Sequence, residues 1–125
     1  MMATFPAAER IKSKIVLEEL YQKGESLNHF PFRLKFMRHN FEDGTKVKIA
    51  ISVPKRNVRK AVKRNRLKRQ IKEAYRLNKS SLLSQFEAEA KGLALFLIYT
   101  GKQDQDYHFI EAKLIELLKK LQSKL

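Results

Sequence analysis

Hydrophobic residues near the start of the chain recur at the spacing of a helix. Between residues 13 and 24, one side of the predicted helix carries four hydrophobic residues, and pairs of them lie three or four positions apart. These residues are Val16, Leu17, Leu20 and Tyr21. Ser13 is a suitable N-terminal cap and Gly24 a suitable end. The pattern predicts a first helix that packs through one face.

Three later segments have the patterns of β-strands. Residues 30–38 and 46–53 alternate between hydrophobic and polar, as half-buried strands do. The inward residues of the two segments are Phe30, Phe32, Leu34 and Phe36, followed by Val47, Ile49, Ile51 and Val53. The run LALFLIY at residues 93–99 is apolar throughout, which indicates a central strand covered on both faces. The sequence Glu42-Asp43-Gly44 predicts a hairpin turn between the first two strands, and a short strand near residues 26–28 also fits.

Two more helices complete the pattern. We predict one from about Val58 to Leu77 and a last one that begins at Asp104 or Asp106. The buried side of the last helix holds Tyr107, Ile110, Leu114, Leu117, Leu118 and Leu121. Residues 80–91 are polar and mixed, and no element is predicted there. The order helix, strands, helix, strand, helix predicts an α+β sandwich, a single domain over residues 1–125 with an N-terminal arm at residues 1–8.

Length and composition narrow the class of protein. The 125 residues suffice for one compact core. There is no cysteine, which excludes disulfides and thiolate metal sites. The N-terminus lacks an apolar signal core, and no apolar run approaches the roughly 20 residues that span a bilayer. We therefore predict a soluble cytoplasmic protein without a membrane partner.

Positive charge is concentrated in one segment. The formal net charge is +14, and residues 55–79 hold 12 Lys or Arg against one acid, Glu73. The other 100 residues hold 15 basic and 12 acidic side chains, a net charge of only +3. A solvated surface normally mixes the two signs. This focused charge predicts a polyanion partner.

The basic segment divides into two faces when it is placed on a helix. Leu67, Ile71 and Ala74 fall within about 60° of one another, with Tyr75 beside them, and are expected to face the sheet. Like charges on the opposite face cost a few tenths of a kcal/mol per pair, but guanidinium groups bind phosphate bidentately. The charge could instead be a solvated face or a nuclear localisation signal, although such a signal has no need of a core stripe.

The sequence offers no catalytic constellation of its own. His29, His39 and His108 lie in three different predicted elements, without the spacing of metal ligands. The acidic residues form no evident pair for two metal ions, and no Walker-type or glycine-rich phosphate loop is present. We predict neither catalytic nor metal-binding residues on the protein.

Several segments resemble a known family. The run AVKRNRLKRQIKEAYR at residues 61–76 resembles the arginine-asparagine-arginine signature helix of the protein subunit of bacterial ribonuclease P. FPAAERIKSK near the N-terminus and IAISVPKR before the helix also resemble the corresponding family segments. The late strand and the last helix match in order.

The resemblance implies a fold, an activity and partners. The family has a four-stranded mixed sheet with a rare left-handed crossover, whereas about 98% of such crossovers are right-handed. Its RNA subunit removes the 5′ leader of precursor tRNA by magnesium-dependent hydrolysis, and Mg²⁺ is bound mainly by that RNA. The protein alone is inactive. It binds the catalytic RNA and precursor tRNA, and no obligate protein partner is implied.

The resemblance also assigns site residues. Those expected to bind RNA are Lys55, Arg56, Arg64, Asn65, Arg66, Lys68, Arg69 and Lys72. Those expected in a leader-binding cleft between the sheet and the signature helix are Leu17, Tyr21, Arg33 and Lys35. Positions that carry aromatics in the family map to Leu17, Tyr21 and Lys35, so only Tyr21 is aromatic here. Binding of the leader should then depend more on charged side chains and less on aromatic stacking.

Two alternatives stay open at this point. Tyr21 could equally be a packing residue of the first helix. The chain could also be a non-catalytic RNA-binding protein of ribosomal type, which would share the basic helix but need no second RNA site for a leader.

Overall fold

The computed structural model describes residues 7–87 and 89–125. A short 3-10 turn at Ala7–Glu9 precedes the named elements, and residues 1–6 of the predicted arm lie outside the described part. The elements are α1 (Lys14–Lys23), β1 (Glu25–His29), β2 (Phe32–His39), β3 (Val47–Ser52), α2 (Ala61–Asn78), α3 (Ser80–Phe86), β4 (Gly92–Tyr99) and α4 (Tyr107–Lys124). They form the predicted α+β sandwich.

The four strands form one mixed sheet in the order β1-β2-β4-β3. The central strand β4 runs antiparallel to β2, with Phe32 opposite Tyr99, and parallel to β3, with Val47 opposite Leu93. The central position of residues 93–99 is therefore confirmed. β3 reaches β4 by a crossover through α2 and α3, whose left-handedness stays a prediction from the resemblance.

The predicted hairpin between β2 and β3 is wrong, because β4 lies between these two strands. The chain does turn at the predicted place: Gly44 has a φ of 81° and donates its N–H to the Phe41 carbonyl at 3.1 Å. A strand that is apolar on both faces is most stable between two others. The chain that follows α3 therefore enters the sheet as β4, between β2 and β3.

Two hydrophobic layers cover the sheet. On one face, α2 and α4 pack over the inward side chains of all four strands, and Leu67, Ile71, Ala74 and Tyr75 are buried as predicted. On the other face, α1 packs through Leu20 against Ala94 of β4. The basic helix is thus anchored by its own apolar stripe.

Three local expectations are corrected. Phe30 precedes β2 and is 63% exposed instead of facing inward. α2 begins at Ala61, three residues later than predicted, so Val58 packs in the loop while Val62 is 78% exposed. Residues 80–86 form the short helix α3, which is too brief to show a periodic pattern.

Helix caps settle the remaining choices. The Ser13 hydroxyl accepts a hydrogen bond from the Val16 N–H at 3.3 Å, as predicted. Asp106, rather than Asp104, caps α4 by accepting from the Phe109 N–H at 2.8 Å. Asp104 is thereby left for contacts with α2.

Among the described residues, no helix combines the length and apolar character that crossing a bilayer requires.

Candidate nucleic-acid interface

The basic face of α2 is presented to solvent by the packing of its opposite side. Leu67 and Ile71 are fully buried, whereas Asn65, Arg66 and Arg69 are exposed. Lys68 and Lys72 are half-buried, which is expected when a long side chain lies along the surface and keeps its charge in water. The structure therefore brings the predicted signature residues together on one helix.

Arg64 differs from the other signature residues because it holds the loop before α2. Its guanidinium donates hydrogen bonds to the carbonyls of Val58 at 3.0 Å and Arg59 at 2.6 Å. These charged donors satisfy backbone acceptors that precede the helix. Arg64 thus has a structural contact that the sequence did not reveal.

Arg66 lies beside the loop between β4 and α4. Its guanidinium forms an ion pair with Asp104, and Lys63 Nζ lies 3.6 Å from the same carboxylate. Partial burial alone would raise the pKa of Asp104, but the Lys63 and Arg66 cations hold this pKa below its ordinary value. The pair fixes one signature arginine in position against the loop that precedes α4.

The side chains of three basic residues make no hydrogen bond or ion pair with the described part of the chain. These residues are Lys68, Arg69 and Lys72. Lys55 and Arg56, the predicted pair after β3, are both exposed on the loop that leads to α2. These five cations are thus available to an external anion. They extend the basic surface from the loop along two turns of the helix.

A basic depression of about 490 Å³ lies at the N-terminus of α2. Its lining includes the cationic side chains Arg56, Arg59, Lys60, Lys63 and Lys102. Asn57 lies at its base: it donates to the Tyr99 carbonyl at 2.9 Å and accepts from Lys102 Nζ at 2.8 Å. The N-cap residue of α2, Lys60, makes no side-chain capping hydrogen bond, and the first turn of α2 contains no acidic residue. A helix N-terminus of this kind favours anions.

The sequence interpretation missed most of this depression. It did not assign Arg59, Lys60, Lys63 or Lys102, and Lys102 comes to Asn57 only through the fold, across 45 residues of sequence. One signal was available: in a sheet where β3 and β4 are parallel neighbours, the loops after both strands leave at the same edge. A basic residue after each strand then predicts a shared site.

A second candidate surface lies on the α1 face of the sheet. A groove of about 360 Å³ contains Leu17 of α1, Phe96 of β4 and Lys72 of α2 in its lining. The remaining residues of the lining are Arg10, Ile11, Ile49, Ala50, Ile51 and Ser52. The sequence interpretation placed Leu17 here, but it missed Phe96 because every side chain of an apolar central strand was expected to be covered.

The other predicted cleft residues lie beside this groove and not in its lining. Tyr21 is 58% exposed, and Lys35 Nζ lies 5.5 Å from the centre of its ring. Arg33 and Lys35 share one face of β2, as strand alternation predicts, and Arg33 Nε donates to Asn28 Oδ1 at 3.3 Å. The exposure of Tyr21 contradicts its interpretation as an ordinary packing residue.

Among the three histidines, His29 takes part in a contact between β1 and α4. The His29 ring is hydrogen-bonded to Glu116 at 3.0 Å and to Lys120 at 2.9 Å, both on α4. Within residues 7–87 and 89–125, no three His, Asp or Glu side chains come together in a way that could hold a metal ion. The geometry can bind a polyanion through two surfaces that meet at Lys72.

Comparison with known proteins agrees with this geometry. Residues 5–122 match the model of the family described as Ribonuclease P. The ribonuclease P protein component of Clostridium botulinum (strain Langeland) is 35% identical over 112 residues, which cover 89% of this chain and 92% of that protein. The corresponding component of Thermotoga sp. (strain RQ2) is 30% identical over 127 residues, with 98% and 99% covered. Among solved structures, the ribonuclease P protein of Thermotoga maritima aligns with a TM-score of 0.69 and 26% identity, over 90% of this chain and 96% of that one.

Proposed function

The chain belongs to the ribonuclease P protein family, and on that premise we propose that it binds two RNAs, the catalytic RNA of ribonuclease P and the 5′ leader of precursor tRNA. One observation carries the proposal: a strongly basic helix face is built on a buried stripe, on a domain that is otherwise nearly neutral. The Lys68, Arg69 and Lys72 side chains of this face have no charge partner among the described residues, and such cations bind a phosphate backbone with release of counterions.

The α2 face is proposed to bind the catalytic RNA. Folded RNA presents its phosphates and 2′-hydroxyls along a surface, and a rigid helix with projecting cations suits that shape. The exposed Asn65 adds a side chain with both a donor and an acceptor. The basic depression at the start of α2 extends this surface to the loops at the edge of the sheet.

The α1 face is proposed to bind the leader. An extended single strand exposes its bases for stacking and its phosphates for close approach. Phe96 in the groove and Tyr21 beside it offer rings, while Lys35, Arg33 and Lys72 offer cations. Because stacking on these rings needs unpaired bases, this face should discriminate in favour of single strands.

Catalysis is proposed to belong to the RNA, with Mg²⁺ bound mainly by that RNA. The described residues do not fit a metal centre, as they bring no suitable group of ligands together. The protein would act by neutralising phosphates, which lowers the repulsion between the catalytic RNA and its substrate and so raises the affinity for substrate.

The test is reconstitution at low magnesium. Purified protein is added to a bacterial ribonuclease P RNA with precursor tRNA, at a magnesium concentration where the RNA alone cleaves poorly. We expect cleavage at the mature 5′ end to be restored. RNA binding without restored cleavage would instead favour a general RNA-binding protein of ribosomal type.

A further inference from the structure

The segment before α1 forms one wall of the leader groove. Residue Arg10 pairs with Ile49 at the outer edge of β3, and the Ile11 N–H donates to the Ile49 carbonyl at 3.1 Å. Ile11 is buried under α1, and both Arg10 and Ile11 line the groove. The position of this short segment therefore sets the distance across the groove to Lys72 on α2.

An ion pair fastens this wall to the end of α2. Lys79 Nζ donates to Glu9 Oε1 at 2.7 Å, across 70 residues of sequence. Lys79 directly follows α2 and is only 6% exposed, and the Glu9 side chain is 16% exposed. Glu9 directly precedes Arg10, so the contact lies next to the wall itself.

Compared with an apolar contact, this ion pair is a costly way to stabilise the fold. Removing both charges from water carries a desolvation penalty, and apolar side chains of similar size often hold two segments together as well or better. An ion pair has a different advantage, since it is satisfied in one position only. If the segment slipped by one residue along β3, the Glu9 carboxylate would lose its hydrogen bond from Lys79.

We infer that Glu9 and Lys79 are positioning residues for the leader groove, which hold the Arg10–Ile11 wall at a fixed distance from the signature helix. The inference rests on the proposed function, because it takes the groove to be the leader site. Lys79 follows the last turn of α2, so the same contact connects the groove to the helix that binds the catalytic RNA. Neither residue has to touch RNA.

The experiment compares holoenzymes made with wild-type protein, Glu9→Gln, Lys79→Met and the exchanged pair Glu9→Lys with Lys79→Glu. The quantity measured is the ratio of two dissociation constants, mature tRNA over leader-bearing tRNA, well below every unfolding temperature. We expect each single variant to lower this ratio by about tenfold, a loss of about 1.4 kcal/mol of leader binding, and the exchanged pair to regain part of it. Glu89→Gln, which breaks the more exposed Arg38–Glu89 ion pair away from the groove, is the matched control.

Two results would overturn the inference. If the single variants unfold at lower temperature but keep the wild-type ratio, the ion pair serves stability only. If the wild-type ratio is itself close to one, the groove is not a leader site, and the proposed leader binding fails together with the inference. A titration of the catalytic RNA separates that second case from a loss of all RNA binding. Glu9→Gln keeps the shape of the side chain and remains informative if Lys79→Met does not fold.

Discussion

Individual basic residues of α2 differ in what they already contact. Lys68 and Arg69 have no partner among the described residues, whereas Arg64 holds two loop carbonyls and Arg66 is paired with Asp104. The sequence predicted that all of these side chains point away from the core, and this is confirmed. It could not predict the two structural roles. The Arg66–Asp104 contact joins residues 38 positions apart, and the Arg64 contacts depend on the path of the loop before α2.

For the unpaired residues we predict a purely electrostatic effect. If Lys68 and Arg69 each neutralise one phosphate, Lys68→Ala with Arg69→Ala should reduce the log–log salt slope of RNA binding by about 0.7–0.9 per side chain. The free energy of unfolding should stay within about 0.5 kcal/mol of wild type, as for other surface changes. Titrations at several salt concentrations measure the slope. An unchanged slope would mean that this face is merely solvated.

For Arg64 we predict a loss of stability as well. Arg64→Ala removes the charged donor from the Val58 and Arg59 carbonyls, and the free energy of unfolding should fall by about 1–2 kcal/mol. Denaturant unfolding measures this fall, with Arg69→Ala as the control on the same helix. Equal stability of the two variants would show that the Arg64 contacts contribute nothing to the fold.

At the level of elements, the spacing of hydrophobic residues predicted most of the architecture. α1, β2, β3, β4, α2 and α4 all lie close to their predicted positions, because each buries one continuous face or, for β4, both faces. The hairpin failed because turn chemistry at Asp43 and Gly44 reports a change of direction and not which strands pair. α3 failed because seven residues are too few for a periodic signal.

The apolar stripe of α2 leads to a prediction at this scale. Leu67 is fully buried beneath the basic face, and Leu67→Ala should lower the free energy of unfolding by about 2–5 kcal/mol. Val62→Ala on the same helix is the control, since Val62 is 78% exposed and should change stability very little. Both are measured by denaturant unfolding. A small effect at Leu67 would contradict the view that the stripe anchors α2.

At the level of the whole molecule, the surface has two candidate binding regions that differ in charge and shape. The basic face of α2 and the depression at its N-terminus form one region, and the α1-side groove forms another, with Lys72 between them. The first region was visible in the sequence as a run of basic residues. The contacts that hold the two regions in place were not visible, because Arg66–Asp104, Lys102–Asn57 and Glu9–Lys79 join residues 38, 45 and 70 positions apart.

If the RNA performs the cleavage, as proposed, the protein by itself should leave precursor tRNA uncut at every magnesium concentration. Incubation of rigorously RNA-free protein with labelled precursor tRNA tests this. Cleavage at the mature 5′ end would place the catalytic groups on the protein and refute their assignment to the RNA.

The most direct test of two separate RNA surfaces is a pair of binding titrations with two variants. One variant is Tyr21→Ala with Lys35→Ala on the α1 side, and the other is Lys68→Ala with Arg69→Ala on α2. Each holoenzyme is titrated with mature tRNA and with tRNA that carries a leader of several nucleotides, at fixed salt and magnesium. Because stacking on an aromatic ring contributes roughly 1–3 kcal/mol per base, the first variant should lose affinity for leader-bearing tRNA and keep its affinity for mature tRNA. The second should weaken assembly with the catalytic RNA. Equal losses for both tRNAs in the first variant would contradict a leader site on this face.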